Sequence, residues 1–216
     1  MTWLANNWMS IATSLWAHLL LAVPAVALSF VISLPLGWLA NRYRWARFPL
    51  VTGSSLMYSI PSLPLLIVLP LMIGTTVRSP VNVVVALTLY GIALMVRSVA
   101  DSLAAVPRDV IIAATSLGIS PVRRFFTVEL PLSGPGLLAG LRVVAVSTVA
   151  LVTVSAVLGV KSLGMLFTDG FQRGIIAQVI TGILATVLLA VAVDRLLVAI
   201  GWLLMPWLRA RAGRAT

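Results

Sequence analysis

Cysteine is absent from the 216 residues, histidine occurs once, as His18, and five acids face fifteen Lys plus Arg. Without cysteine there is no disulfide framework, no thiolate metal site and no cysteine nucleophile. One histidine cannot form a histidine cluster, and five scattered acids support neither a Ser/His/Asp arrangement nor a membrane-buried carboxylate pair for proton relay. No catalytic or metal-binding residues are visible. The only lysine is Lys161, and no G-x-x-x-x-G-K-[ST] phosphate loop is present. Charge is scarce altogether, at 9% of residues, where a soluble domain has roughly 25%. Hydrophobic residues make up 61%, with a mean hydropathy of +1.11. Such a chain lacks the polar surface to cover a soluble globule, and the same numbers exclude disorder. The net charge of +10 is read as membrane topology rather than as a nucleic-acid surface. This is the composition of a polytopic membrane protein.

Crossing a bilayer as helix takes about 20 apolar residues. Five such stretches are present: 16–40, 48–73, 82–100, 137–158 and 175–193. The first arginine is Arg42, so the N-terminal stretch lacks the basic flank of a cleaved signal peptide and is expected to stay as a span. With five spans, one side receives Arg42, Arg44, Arg47, Arg108, Arg123, Arg124, Arg209, Arg211 and Arg214. The other receives only Arg78, Lys161 and Arg173. Arg97, Arg142 and Arg195 sit near span ends on the richer side and are expected to snorkel. Positive-inside bias then puts the N-terminus outside and the C-terminus in the cytoplasm. Asp194 and Arg195 interrupt the last apolar run, so 196–208 is expected to be an interfacial helix or the cytoplasmic overhang of the last span.

Irregularities mark these spans. Ser29, Ser33 and Gly37 recur every four residues, a small-residue stripe that suits close helix packing. Pro61, Pro64 and Pro70 fall within ten residues of the second span, where each removes a donor, so that helix must kink or break. Broken backbone at membrane depth is tolerated only where protein buries it or water reaches it, which makes a transport pathway and a packing kink the two readings here. In the fourth span Thr148 and Ser155 share a face, with Ser147 beside it. Their hydroxyls either line a polar path or bond to their own helix.

Residues 101–134 form the one sizeable inside segment and read as two short helices. Pro107 suits a first turn and Asp109 complements that helix's positive end. Gly118 fits a left-handed C-terminal position, Ser120 caps a second helix beginning at Pro121, and Leu130-Pro131 is expected to stop it. A capped hairpin too small for its own core reads as a docking element or as a connector whose arginines enforce orientation.

The sequence Ile112-Ala-Ala-Thr-Ser-Leu-Gly118, followed by Glu129-Leu-Pro131, resembles the E-A-A-x-x-x-G…L-P cytoplasmic loop of type I ABC importer permeases. Ile60-Pro-Ser-Leu-Pro-Leu-Leu and Ala86-Leu-Thr-Leu-Tyr90 are similar to the osmoprotectant permeases for glycine betaine, carnitine and choline. Leu158-Gly-Val-Lys-Ser-Leu-Gly164 is similar to that family's outer Gly-rich loop. Ile112 stands where the family's usual acid falls, and Val160-Lys161-Ser162 where small residues are common.

The resemblance implies an all-α integral membrane fold, a single transmembrane domain over 1–216 in the cell membrane. It implies a transport subunit rather than an enzyme. Its partners would be a second permease chain, identical or different, an ABC ATPase dimer and an extracytoplasmic binding protein, with ATP and Mg on the ATPase and no cofactor in this chain. It further implies an ATPase-coupling hairpin over Ile112, Ala113, Ala114, Gly118, Ser120, Pro121, Arg123 and Arg124. Candidate pathway residues are Tyr58, Ser59, Pro61, Ser62, Tyr90, Thr148 and Ser155. The expected cargo is a small quaternary-ammonium osmoprotectant. A permease for a polar amino acid such as methionine is the alternative, and a small multispan enzyme or scaffold a more remote one.

Overall fold

The computed structural model describes residues 2–207, so Leu208 and the tail arginines Arg209, Arg211 and Arg214 lie outside the described residues. Nine α-helices are found among those residues: α1 (Thr2–Arg42), α2 (Arg44–Tyr58), α3 (Ser62–Ile73), α4 (Pro80–Ala104), α5 (Arg108–Ser116), α6 (Pro121–Arg124), α7 (Leu130–Val152), α8 (Gly164–Gln172) and α9 (Ile176–Leu204). A π turn, Phe125–Glu129, joins α6 to α7, and a 3₁₀ segment, Thr153–Leu158, follows α7. Four helical stretches are long and apolar enough to cross a membrane, or five if the bent pair α2–α3 is one span. Exposed tryptophans lie toward both ends of the bundle, Trp8 and Trp16 at one and Trp45, Trp202 and Trp207 at the other, as amphipathic rings do at membrane interfaces.

The most buried span is α4, which packs against α1, α2, α3 and α7. Its start is set by Ser79, whose hydroxyl accepts the Val81 N–H, and by Pro80 in the first turn, where a missing N–H costs nothing. Apolar contact gives little driving force between helices in lipid, so association depends on backbones approaching closely. The α1–α4 seam achieves this with small residues. Ser29 and Ser33 are fully buried, and Gly37 lies against Val99. The Ser29 hydroxyl donates to Ala25 O at 2.6 Å and across the seam to Thr88 O at 3.1 Å. Gly91 faces it so tightly that a Cβ there would stand 2.6 Å from the Ser29 Cβ.

Two apolar clusters divide the interior. One, around Met95, Val99, Leu103, Phe125, Leu137 and Val144, lies at the end where α5 and α6 form a hairpin. The other, including Leu21, Val83, Val149, Leu163 and Leu166, lies toward the opposite end.

Several local expectations change. The stretch 48–73 is two helices bent by 108°. Pro61 is the N-cap residue of α3 and Pro64 falls in its first turn, leaving only Pro70 in the interior; the prolines therefore start a second helix more than they kink a first. Leu130-Pro131 does not stop the helix of the hairpin. The Leu130 N–H bonds to Phe125 O five residues back, and this wider turn admits the Pro131 ring where a regular register would clash. Helix therefore runs without interruption from Pro121 through Leu158, and the segment between spans is shorter than 101–134. Asp194 and Arg195 do not end the last helix, since α9 continues through them to Leu204. Arg142, expected to snorkel, instead grips Asp194 through Nε at 2.6 Å and Nη2 at 2.9 Å. This two-pronged pairing offsets the cost of both charges. The short helix α8 was not anticipated in the outer loop.

Gly91→Ala should overpack the α1–α4 seam and destabilise the protein by about 1–3 kcal/mol. Thermal unfolding in detergent micelles checks this: the midpoint should fall for Gly91→Ala and be regained when Ser29→Gly makes room.

Candidate functional site

The hairpin end is organised by one buried ion pair. Arg124 and Glu129 are 8% and 4% exposed, and the Arg124 Nε donates to Glu129 Oε1 at 2.7 Å. The Arg124 Nη1 donates to the Thr115 hydroxyl at 2.6 Å, and that hydroxyl donates to Ile111 O at 2.7 Å. These bonds tie α5 to the π turn and so to the start of α7. Phe125, stacked edge-on against Trp38 of α1 with centroids 6.0 Å apart, fastens the same turn to the bundle. The α5–α6 link needs Gly118, whose φ of +75° is a conformation that β-branched residues adopt only under strain. Ser120 and Pro121 open α6, although the Ser120 side chain makes no capping bond.

Of the residues expected on this hairpin, Ile112, Ala113, Gly118, Ser120, Pro121 and Arg123 are exposed, while Ala114 and Arg124 are buried. Arg124 thus turns inward as an anchor. The residues that complete its site, Thr115 and Glu129, escaped the sequence reading because nothing in the local pattern pairs positions nine and five residues away. Outward, Ile112, Leu117, Val122 and Phe126 each expose large apolar surface at this end of the bundle, as residues do at protein or membrane contacts.

The candidate pathway residues fall into two groups. Tyr58 and Tyr90 meet edge to face with centroids 6.0 Å apart, and the Tyr90 hydroxyl donates to Ile60 O, which the α2–α3 break leaves free. Ser59 and Pro61 are exposed at this break and Ser62 is half-buried. Thr148 and Ser155 are instead buried in the chain, and the Ser155 hydroxyl donates to Val152 O of its own helix at 2.6 Å.

A change of register, where α7 passes into the 3₁₀ segment, is held by His18. The Thr153 N–H shifts to Ala150 O, and the vacated Val149 O lies 3.0 Å from His18 Nε2. Leu163 N–H donates to His18 Nδ1 at 3.4 Å, so Nε2 carries the proton and the fully buried ring joins α1, α7 and the segment leading into α8. Beside it Gly164 rests on the Thr153 backbone, where a Cβ would come within 2.7 Å of the carbonyl carbon. Among the described residues no His, Asp or Glu cluster forms that could hold a metal ion.

The described residues form a helical bundle with four or five candidate membrane spans and a short helical hairpin at one end, the fold class of a multi-pass membrane protein. The chain matches the family described as binding-protein-dependent transport system inner membrane component over residues 33–201, and it belongs to that family. It is 31% identical to the osmoprotectant import permease protein OsmW of Salmonella typhimurium over 190 residues, covering 87% of this chain and 88% of that one. It is 30% identical to the glycine betaine/proline betaine transport system permease protein ProW of Escherichia coli, covering 85% of this chain but only 51% of ProW. A chain of the MetNI methionine ABC transporter, solved in inward-facing conformations, superimposes with a TM-score of 0.77 at 22% identity, covering 90% of this chain and 95% of that one. At that identity the likeness is one of fold. The protein is therefore a multi-pass permease of the cell membrane and a transport subunit of an ABC importer, not an enzyme. Subunits of this kind carry no cofactor of their own, and the family implies an ATPase and a binding protein as partners.

Removing one member of a buried ion pair costs about 3–5 kcal/mol, whereas replacing both by apolar groups is often nearly neutral. Glu129→Leu should therefore lower the unfolding midpoint of the purified protein sharply, and Arg124→Met combined with Glu129→Leu should restore most of it. Equal losses in the single and double variants would show that the pair does not anchor the hairpin.

Proposed function

We propose that this permease carries a small quaternary-ammonium osmoprotectant of the glycine betaine, choline and carnitine class into the cytoplasm. The observation that supports it most is the likeness to OsmW across almost the whole of both chains, together with the motifs on α3 and α4. In this reading the N-terminus is outside, and the hairpin end is cytoplasmic, as the excess of arginine there favours. An extracytoplasmic binding protein delivers the substrate to the opposite end. A separate ATPase dimer, holding ATP and Mg, docks against Ile112, Ala113, Leu117 and Val122.

Five spans enclose no two-sided pathway, so two permease chains are needed, related by an axis along the membrane normal. Closure of the ATPase dimer moves both hairpins. The buried Arg124–Glu129 pair makes each hairpin move with its α7 rather than flex on its own, and this switches the pathway from inward- to outward-facing. The exposed break at Ser59–Pro61, with Tyr58 and Tyr90 behind it, is placed on the pathway. Ile112, in place of the acid common in the family, favours pairing with a non-identical permease.

Uptake of radiolabelled betaine, choline, carnitine and methionine by the complex reconstituted in proteoliposomes tests this reading. The quaternary-ammonium compounds should be taken up, and uptake of methionine alone would overturn the substrate class. In the same assay Gly118→Val, strained by about 1–3 kcal/mol at its positive φ, should abolish uptake through poor assembly or ATP hydrolysis without transport. Normal uptake with substrate-stimulated hydrolysis would remove the hairpin from the coupling path.

A further inference from the structure

At the end opposite the hairpin lies a cleft of about 490 Å³ that no part of the mechanism above uses. Its floor is the end of the 3₁₀ segment, Ala156, Val157 and Leu158 with Gly159. One wall is the α3–α4 link, which contributes Arg78, lying across Gly159. The other wall is α8. Met165, Thr168, Asp169 and Gln172 line the cleft from it, a spacing of three, four and seven that puts them on one helical face. The opposite face of α8, with Leu166, Phe167 and Gly170, is packed on α9. A nine-residue helix therefore turns its polar stripe into the concavity. The Gly164–Thr153 contact and the His18 bond to Leu163 hold that wall in place.

The charges in the cleft are of opposite sign and are not joined. Among the described residues neither the Arg78 guanidinium nor the Asp169 carboxylate has an ion-pair or side-chain hydrogen-bond partner, although both face one space. A simple cation would meet Arg78 and a simple anion would meet Asp169, each with repulsion. A molecule that carries both charges satisfies both groups. The floor selects further. Ala156, Val157, Leu158 and Met165 give a methylated ammonium apolar surface to rest on, and its methyl groups lose no hydrogen bonds to water there. The volume lies within the range of small-molecule sites, roughly 300–1,000 Å³.

We propose that this cleft is a reception site for a zwitterion, with Arg78 taking the carboxylate and Asp169 facing a methylated ammonium over the apolar floor. Arg78 is then the residue that separates carboxylate-bearing betaines from choline, which lacks the carboxylate. This rests on the osmoprotectant reading and adds a specificity determinant within the permease, apart from the binding protein.

The test compares uptake of glycine betaine and choline by proteoliposomes holding the complete complex, with the binding protein unchanged. At limiting substrate Arg78→Gln should lower betaine uptake about tenfold, the scale of one lost charge-assisted bond, and leave choline uptake undiminished or raised. Arg78→Lys should retain most of the betaine uptake, and Asp169→Asn should lower uptake of both compounds. A complex that carries only one of the two is judged on that substrate. Equal loss of both in Arg78→Gln would overturn the proposal, since a side chain that recognises the carboxylate is not needed for choline. Unchanged uptake of both in all variants would overturn it as well. Failure of the osmoprotectant reading looks different, since the wild-type complex would then carry neither compound, and the zwitterion site would fall with it.

Discussion

Wherever a helix is interrupted at membrane depth, the amides and carbonyls it releases must be satisfied within the protein or by water that reaches the break. Three irregularities in this chain are each met by a side chain from a distant helix or from just across the break. The α2–α3 break frees Ile60 O, which takes the Tyr90 hydroxyl of α4. In the α3–α4 link Thr76 O, which already accepts the Ser79 N–H, also takes the Asn82 amide, while the Asn82 carbonyl accepts the Thr75 hydroxyl. The α7–3₁₀ transition frees Val149 O, which takes His18 of α1. Tyr90, Asn82 and His18 are all buried, and for each the polar atom is directed at the backbone that needs it. The breaks are thus held to one geometry, and the elements they separate keep defined positions.

This requirement separates what can be read in the sequence from what cannot. Long apolar runs, the proline cluster 61–70, and the Gly118 and Pro121 signals are local, and local chemistry is enough to read them. Gly118 does adopt a positive φ and Pro121 does open a helix. The break after Tyr58 follows from prolines that stand next to it. The partners that hold each break lie 30 residues away for Tyr90 and Ile60 and 131 for His18 and Val149, and no periodicity carries that information. His18 was accordingly noticed only as a residue too solitary for a cluster. Arg124 and Arg123 are adjacent and indistinguishable as charges, yet one is buried and the other exposed, because the π turn rotates Arg124 toward Glu129. A π turn has no sequence signature comparable to a cap. Leu130-Pro131 therefore looked like a stop, although the wider turn carries the helix through it.

Charge in the spans follows the same logic. Asp194 within an apolar run argues for an ended helix as long as it is considered alone. Arg142 is 52 residues away in sequence, and once the two are paired neither charge stands alone in the spans, so α9 has no reason to end at that point. The small-residue stripe on α1 was legible because both its spacing and its consequence are confined to one helix. Its depth of contact was not, since that depends on Gly91 of α4 lying opposite Ser29.

The helical stretch from Pro121 to Leu158 gives these separate features a common axis. Its first turns belong to the hairpin, its middle lies in the seam with α4, and its last residues form the floor of the cleft beside α8. It leaves the α register only twice, at the π turn and at the 3₁₀ segment, and each departure is pinned, by Arg124 with Glu129 and by His18. Its far end is fastened to the segment at Leu163 and, through Gly164 on the Thr153 backbone, to α8 itself. The wall of the cleft is thereby connected, through one helical stretch, to the hairpin that we propose as the ATPase contact. Coupling across such a distance requires a contiguous physical connection whose two ends are biased by different partners, and this stretch, with its two pins, is one that the chain supplies by itself.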